Sequence, residues 1–182
     1  MNRTRTLNVA FASSFAALTA IGGMISVPLP FSPVPISLQT LFVYLSGAVL
    51  GGYIGALSQV IYLLLGCVGL PVFSGPVKAG FQALLGPTGG YLIGFVAGAF
   101  ILGKLVESRR KLDLRWMLTS MVLCTFVIYG LGVSQLSLWM GVGLEKAAAI
   151  GVLPFLIGDS VKIVLASFIS IRVRRLLLYR IK

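Results

Sequence analysis

Trp116-Met-Leu-Thr-Ser-Met-Val-Leu-Cys-Thr-Phe-Val-Ile-Tyr-Gly-Leu-Gly-Val-Ser-Gln-Leu-Ser-Leu-Trp-Met140 runs for 25 residues without a charged side chain. A bilayer core of about 30 Å is crossed by about 20 apolar residues in a helix, so this stretch reads as a membrane span. The chain around it has the same character. Of 182 residues, 58% are hydrophobic and 10% are charged, where a soluble domain carries about a quarter charged residues. Five further apolar segments read as spans: about Leu7 to Val27, Ser37 to Leu50, Tyr53 to Leu70, Thr88 to Val106 and Pro154 to Val173. The expected fold is therefore an all-α integral membrane protein, a bundle of six transmembrane helices forming a single domain over residues 1–182.

The fifteen bases and four acids give a net charge of +11, but the bases cluster between apolar runs instead of covering one face, so nucleic acid is not an expected partner. The lipid bilayer is. Six spans put both termini on one side. That side holds Arg3, Arg5, Lys104, Arg109, Arg110, Lys111, Arg115, Arg172, Arg174, Arg175, Arg180 and Lys182, and excess Lys and Arg mark the cytoplasmic side. Both termini are therefore expected in the cytoplasm, at the cell membrane. The first segment, with Arg3 and Arg5 ahead of an apolar run, has the outline of a signal peptide. It reads better as a retained helix, because its removal would put the termini on opposite sides.

Several chemistries are excluded. There is no histidine, and Cys67 and Cys124 stand on separate apolar segments without metal-ligand or redox spacing. No G-x-x-x-x-G-K-[ST] motif is present to cradle a nucleotide. An enzyme would have almost nothing to work with, and no cofactor or metal is expected.

Two connections on the other side are unusual. Val27 to Gln39 carries Pro28, Pro30, Pro33 and Pro35, which remove N–H groups and fix φ. Gly66 to Gly90 is glycine-rich around Phe73 and Phe81, with Tyr91 just beyond. Irregular backbone at membrane depth is tolerated where it packs on protein or lines a cavity, so both read as external lids over an outward-facing pocket. Small residues recur at i, i+4, i+8 in Gly47, Gly51, Gly55, in Gly90, Gly94, Gly98 and in Ala12, Ala16, Ala20. Such stripes let helices approach closely in lipid. The glycine series read as internal packing, and the alanines of the first helix as a face open to a partner helix. Glu107, Asp113 and Glu145 read as solvated loop residues.

Asp159 and Lys162 differ from the other charges, because they lie within the last span. Insertion of an ionisable group at mid-membrane costs about 2.5 to 3.5 kcal/mol or more, which makes it a functional-site candidate. At i and i+3 the two share a helix face, and at 1.5 Å per residue from Pro154 both fall in the outer half of the bilayer. A carboxylate accepts N–H donors and an ammonium donates to a carbonyl, so the pair complements a ligand presenting N–H beside C=O, such as a urea or amide. A self-satisfied ion pair and a proton relay are the competing readings. No ionisable side chain in the inner half of any span continues a relay.

Pro28-Leu-Pro-Phe-Ser-Pro-Val-Pro-Ile-Ser-Leu-Gln39, Gly69-Leu-Pro-Val-Phe-Ser-Gly75, Gly86-Pro-Thr-Gly-Gly-Tyr-Leu-Ile-Gly-Phe95 and Pro154-Phe-Leu-Ile-Gly-Asp-Ser-Val-Lys162, in that order over nearly the whole chain, resemble the BioY family, the biotin-binding S components of energy-coupling factor (ECF) transporters. The resemblance implies six helices, biotin as the transported ligand held near the outer face, Asp159 accepting N–H from the ureido ring and Lys162 donating to its carbonyl. It places Tyr91, Phe73 and Gln39 near the ligand. It also implies docking of a transmembrane coupling subunit on an alanine-rich face of the first helix, matched by Ala12, Ala16 and Ala20, with two ATP-binding-cassette ATPases supplying energy. Pro76-Val77-Lys78 departs from the family's polar loop, and Lys78 is a candidate contact for the biotin carboxylate, whose partner the resemblance leaves open. An S component for another small vitamin, or a self-sufficient carrier or channel, are the alternatives.

Overall fold

The computed structural model describes residues 3–109 and 113–180, with side chains described for 5–109 and 113–176. Arg110, Lys111 and Lys182, counted above among the bases of one side, lie outside the described residues, as do the side chains of Arg3 and Arg180.

All six apolar segments are helical. Helix α1 spans Arg3–Met24 and is followed by strands β1, Ser26–Leu29, and β2, Ser32–Ser37. Helices α2, Gln39–Leu50, and α3, Gly52–Cys67, come next. After a loop holding the one-turn helix α4, Gln82–Leu85, the chain forms α5, Gly89–Glu107, and α6, Leu114–Met140. It ends in the short helix α7, Leu144–Gly151, a 3-10 turn at Leu153–Phe155 and α8, Leu156–Arg180. Among the described residues, four segments are long and apolar enough to cross a membrane: Arg5–Met24, Gly89–Glu107, Leu114–Met140 and Leu144–Leu176. Helices α2 and α3 are apolar but shorter, at 12 and 16 residues.

Helix α5 is the spine. It packs along α6 on one side and against α2 and α3 on the other, while α1 lies on α2 and α3, and α8 closes onto α2 and α6. The glycine series serve this packing, as expected. A methyl group added at Gly94 would stand 3.0 Å from Ile128 Cα of α6, and one at Gly98 2.9 Å from Cys124 Sγ. Apolar side chains such as Phe126, Leu138, Val161 and Phe168 point outward, the arrangement a hydrocarbon solvent permits.

Three expectations need correction. The proline-rich stretch is an antiparallel hairpin, with Ser26 opposite Ser37, Val27 opposite Ile36 and Leu29 opposite Ser32, so the fold is not purely α. Prolines alternate with Val27, Leu29, Val34 and Ile36, and successive N–H groups of a strand point to opposite sides. The missing donors therefore fall along one side, and the other remains free for the ladder. Second, the alanine stripe is not an open face: Ala12 and Ala16 are 0% exposed and Ala20 is 7%, because this side of α1 meets α2 and α3. Small residues admit whichever helix lies against them, and here it is the chain's own. The exposed small residues of α1 are Ala10, Ser13, Ser14 and Ala17. Third, two of the acids are not idle. Glu107 accepts a hydrogen bond from Gly52 N at 3.0 Å and pairs with Lys104 at 3.4 Å, thereby capping α3 where Gly51, at φ +86°, turns the chain sharply out of α2. Asp113 caps α6 by accepting from Trp116 N at 3.1 Å. Glu145 lies in the first turn of the helix α7 and not in a loop.

Candidate functional site

Helix α8 begins just after the Pro154 turn, and its third and sixth following positions bring Asp159 and Lys162 into the bundle beside the start of α2. Both are buried, at 4% and 8% exposure. Lys162 Nζ donates to Asp159 Oδ1 at 2.8 Å, to Thr40 Oγ1 at 3.0 Å and to the Ser37 carbonyl at 2.6 Å. Asp159 Oδ1 also accepts from Thr40 Oγ1 at 3.0 Å, and Oδ2 accepts from the Tyr129 hydroxyl at 2.6 Å. Four elements thus meet on one ion pair: the end of β2, the first turn of α2, the middle of α6 and the first turns of α8. A buried pair is tolerated when further hydrogen bonds satisfy its protons and lone pairs; here all three ammonium donors are used, and one lone pair of Asp159 Oδ2 is left over.

The pair forms one wall of a cavity of about 50 Å³ whose other walls include Val34 and Pro35 of the hairpin, Gln39, Ser74, Tyr91, Phe95 and Phe155. The hairpin and the loop after α3 therefore both contribute to the enclosure. A second cavity of about 170 Å³ lies between α6 and α8, lined by Val122, Phe126, Leu156 and Ile163 among others. Tyr129 and Asp159 line both spaces.

Of the residues singled out in the sequence, Asp159, Lys162, Gln39 and Tyr91 come together around the first cavity. Gln39, 1% exposed, is a junction: its Oε1 accepts from Ser37 Oγ at 3.0 Å and from Ser74 Oγ, and its Nε2 donates to the Tyr62 hydroxyl. Tyr62 in turn donates to the Val72 carbonyl at 3.3 Å. One amide therefore ties the hairpin end, the loop after α3 and α3 itself. Tyr91 spends its hydroxyl on the Gly151 carbonyl at 2.9 Å and offers the cavity its ring. The ring occupies space that a side chain at Gly132 would fill.

Phe73 and Lys78 are not brought to this cavity. Phe73 is buried edge-on to Tyr62, with ring centroids 5.5 Å apart, in room left by Gly66. Lys78 is exposed, and its backbone carbonyl accepts from Phe73 N at 3.0 Å. Thr40, Tyr129 and Ser74 were not anticipated. The adjacency of Thr40 to Gln39 was a readable signal for the first; a tyrosine in mid-span, where its hydroxyl needs a partner, was one for the second. No cluster of His, Cys, Asp or Glu suited to a metal ion occurs among the described residues.

This arrangement, ionic groups offering an acceptor beside a donor beneath a hairpin and a glycine-rich loop, can be set beside known proteins. The profile of the BioY family matches residues 1–179. The chain is 45% identical to the biotin transporter BioY of Thermotoga maritima over 91% of its own length and 94% of that protein. It is 43% identical to the probable biotin transporter BioY of Pyrococcus horikoshii, over 91% and 95%. Among solved structures, the S component for biotin from an ECF-type ABC transporter superposes with a TM-score of 0.86 at 27% identity, covering 96% of this chain and 95% of the other. With a family profile spanning nearly every residue and relatives alike over more than nine-tenths of their length, this chain belongs to the BioY family.

Proposed function

We propose that the chain is the biotin-specific S component of an ECF transporter, binding biotin and delivering it across the membrane. The observation that carries this reading is the Asp159–Lys162 pair, buried in the bundle yet lining a cavity. Biotin's ureido ring presents N–H beside C=O, and Asp159 and Lys162 are the acceptor and the donor that edge requires. The names and structure of the relatives support the same ligand. The cavity holds no more than a few waters, so entry of a bicyclic ring displaces the hairpin or the loop after α3, the two walls that are not long helices.

In this reading all six apolar helices cross the bilayer, both termini are cytoplasmic, and the hairpin and the loop after α3 are external. The basic residues at the ends of α5 and α8 support that orientation. A transmembrane coupling subunit and two ABC ATPases supply the energy, since the chain has no nucleotide-binding motif of its own. The coupling subunit docks on α1 through the exposed Ala10, Ser13, Ser14 and Ala17, the small-residue face that α2 and α3 leave free.

The test is binding by variants of the pair. Asp159→Asn and Lys162→Ala each leave the other ion without its partner, and removing one member of a buried pair costs about 3 to 5 kcal/mol. Both variants should lose biotin binding in equilibrium titrations, with thermal stability measured alongside to separate folding from affinity. Wild-type affinity in either variant would make the pair structural and overturn the assignment.

A further inference from the structure

The hydrogen-bond inventory of the ion pair leaves little unassigned. A lysine ammonium has three N–H donors, and those of Lys162 go to Asp159 Oδ1, Thr40 Oγ1 and the Ser37 carbonyl. A carboxylate offers about four lone-pair sites; Lys162 and Thr40 occupy both on Oδ1 and Tyr129 takes one on Oδ2. Among the described residues, Thr40 is the only group bonded to both ions. Its hydroxyl proton points to Asp159, so its lone pairs face Lys162. This bridge has one direction, donor toward the carboxylate and acceptor toward the ammonium, and it is complete only while both groups are charged.

We propose that Thr40 is a positioning residue for ligand recognition, holding Lys162 and Asp159 at a fixed separation so that the site takes only an edge with an N–H beside a C=O. This rests on the reading of the pair as the biotin site and deepens it. With Thr40 in place, the acceptor left to an incoming N–H is the second lone pair of Asp159 Oδ2. The exchange open to an incoming carbonyl is with the Ser37 carbonyl, like for like, on Lys162. An edge carrying donors at both positions, as in a guanidinium, would press its second donor on an ammonium that Thr40 keeps from turning away. Without the hydroxyl, Lys162 loses an acceptor on the α2 side and Asp159 a donor, and the ammonium is free to follow whatever the ligand presents.

The experiment is titration of the purified protein with biotin and with its imino analogue, in which C=NH2+ replaces the ureido C=O, for wild type, Thr40→Val and Thr40→Ser. Thr40→Val keeps the shape and removes the bridge. Biotin affinity should fall by about tenfold to a hundredfold, what one hydrogen bond to a charged group contributes. The preference for biotin over the imino analogue should narrow at the same time, and Thr40→Ser should restore both. A Thr40→Val protein that binds both ligands as wild type does, or loses both by the same factor, overturns the proposal, because a space-filling role predicts no change in preference. If Thr40→Val does not fold, Thr40→Ala with the same two ligands gives the same readout. Wild type that does not respond to biotin would instead overturn the reading of the site itself.

Discussion

Gln39 shows at the scale of one residue how binding and enclosure are linked. Its amide joins Ser37 of the hairpin, Ser74 of the following loop and Tyr62 of α3, so Gln39→Leu unties both walls of the cavity at once while leaving Asp159 and Lys162 in place. Biotin should then dissociate faster with little change in its rate of arrival, read by stopped-flow or surface-bound kinetics; an unchanged dissociation rate would show that the amide is not a tie. Gln59 is the contrasting case. It is 0% exposed, and its Nε2 lies 3.0 to 3.3 Å from the hydroxyls of Ser46, Ser58 and Thr19, but its Oε1 has no partner. Intramembrane side-chain hydrogen bonds contribute only about 0.6 kcal/mol on average, and an orphaned buried acceptor offsets that. Gln59→Leu should therefore leave thermal stability unchanged or raise it, and a clear fall in Tm would show that the amide is fully satisfied. Asp159 and Lys162 were legible in the sequence because charge inside an apolar run is rare. Thr40 and Tyr129 were legible only as polar groups in need of a partner, since hydropathy is the same whether such a side chain faces lipid, a neighbour or an ion.

Among the elements, α1 is where pattern and structure part. The spacing of Ala12, Ala16 and Ala20 identifies a close-packed face correctly but carries no information about which helix fills it. The burial of those residues by α2 and α3 makes substitutions there a matter of folding. Ala16→Trp, at a position with 0% exposure, overpacks the α1 interface, where even small insertions cost about 1 to 3 kcal/mol; loss of folded protein or a markedly lower Tm is expected. Ala17→Trp, on the exposed face, should leave folding and biotin binding intact and abolish co-purification with the coupling subunit. An Ala17→Trp protein that still assembles would move the docking face elsewhere. The hairpin was missed for a different reason. Four prolines in ten residues read as a broken backbone if N–H groups are counted, and as a two-stranded ladder only if the side on which each falls is counted too.

For the whole molecule, the positions of the six apolar helices followed from hydropathy, because a helix satisfies every backbone group of such a segment within itself, while the short α7 left no such signal. Sidedness rests on the basic residues, and it is measurable. Cysteines introduced singly at Phe31 or Phe81, both 63% exposed, should react with an impermeant thiol reagent from outside the cell. Those at Ser108 or Leu176 should react only after permeabilisation, and the reverse pattern would invert the topology. What the sequence could not convey is that one ion pair gathers the hairpin, α2, α6 and α8, since contacts 119 to 125 residues apart in the chain have no local signature. That convergence is the centre of the account, and calorimetric titration of the purified wild-type chain with biotin, thiamin and riboflavin tests it most directly. Saturable heat with biotin at one site per chain, and none with the other two, is the predicted result; heat with thiamin or riboflavin and none with biotin would contradict it.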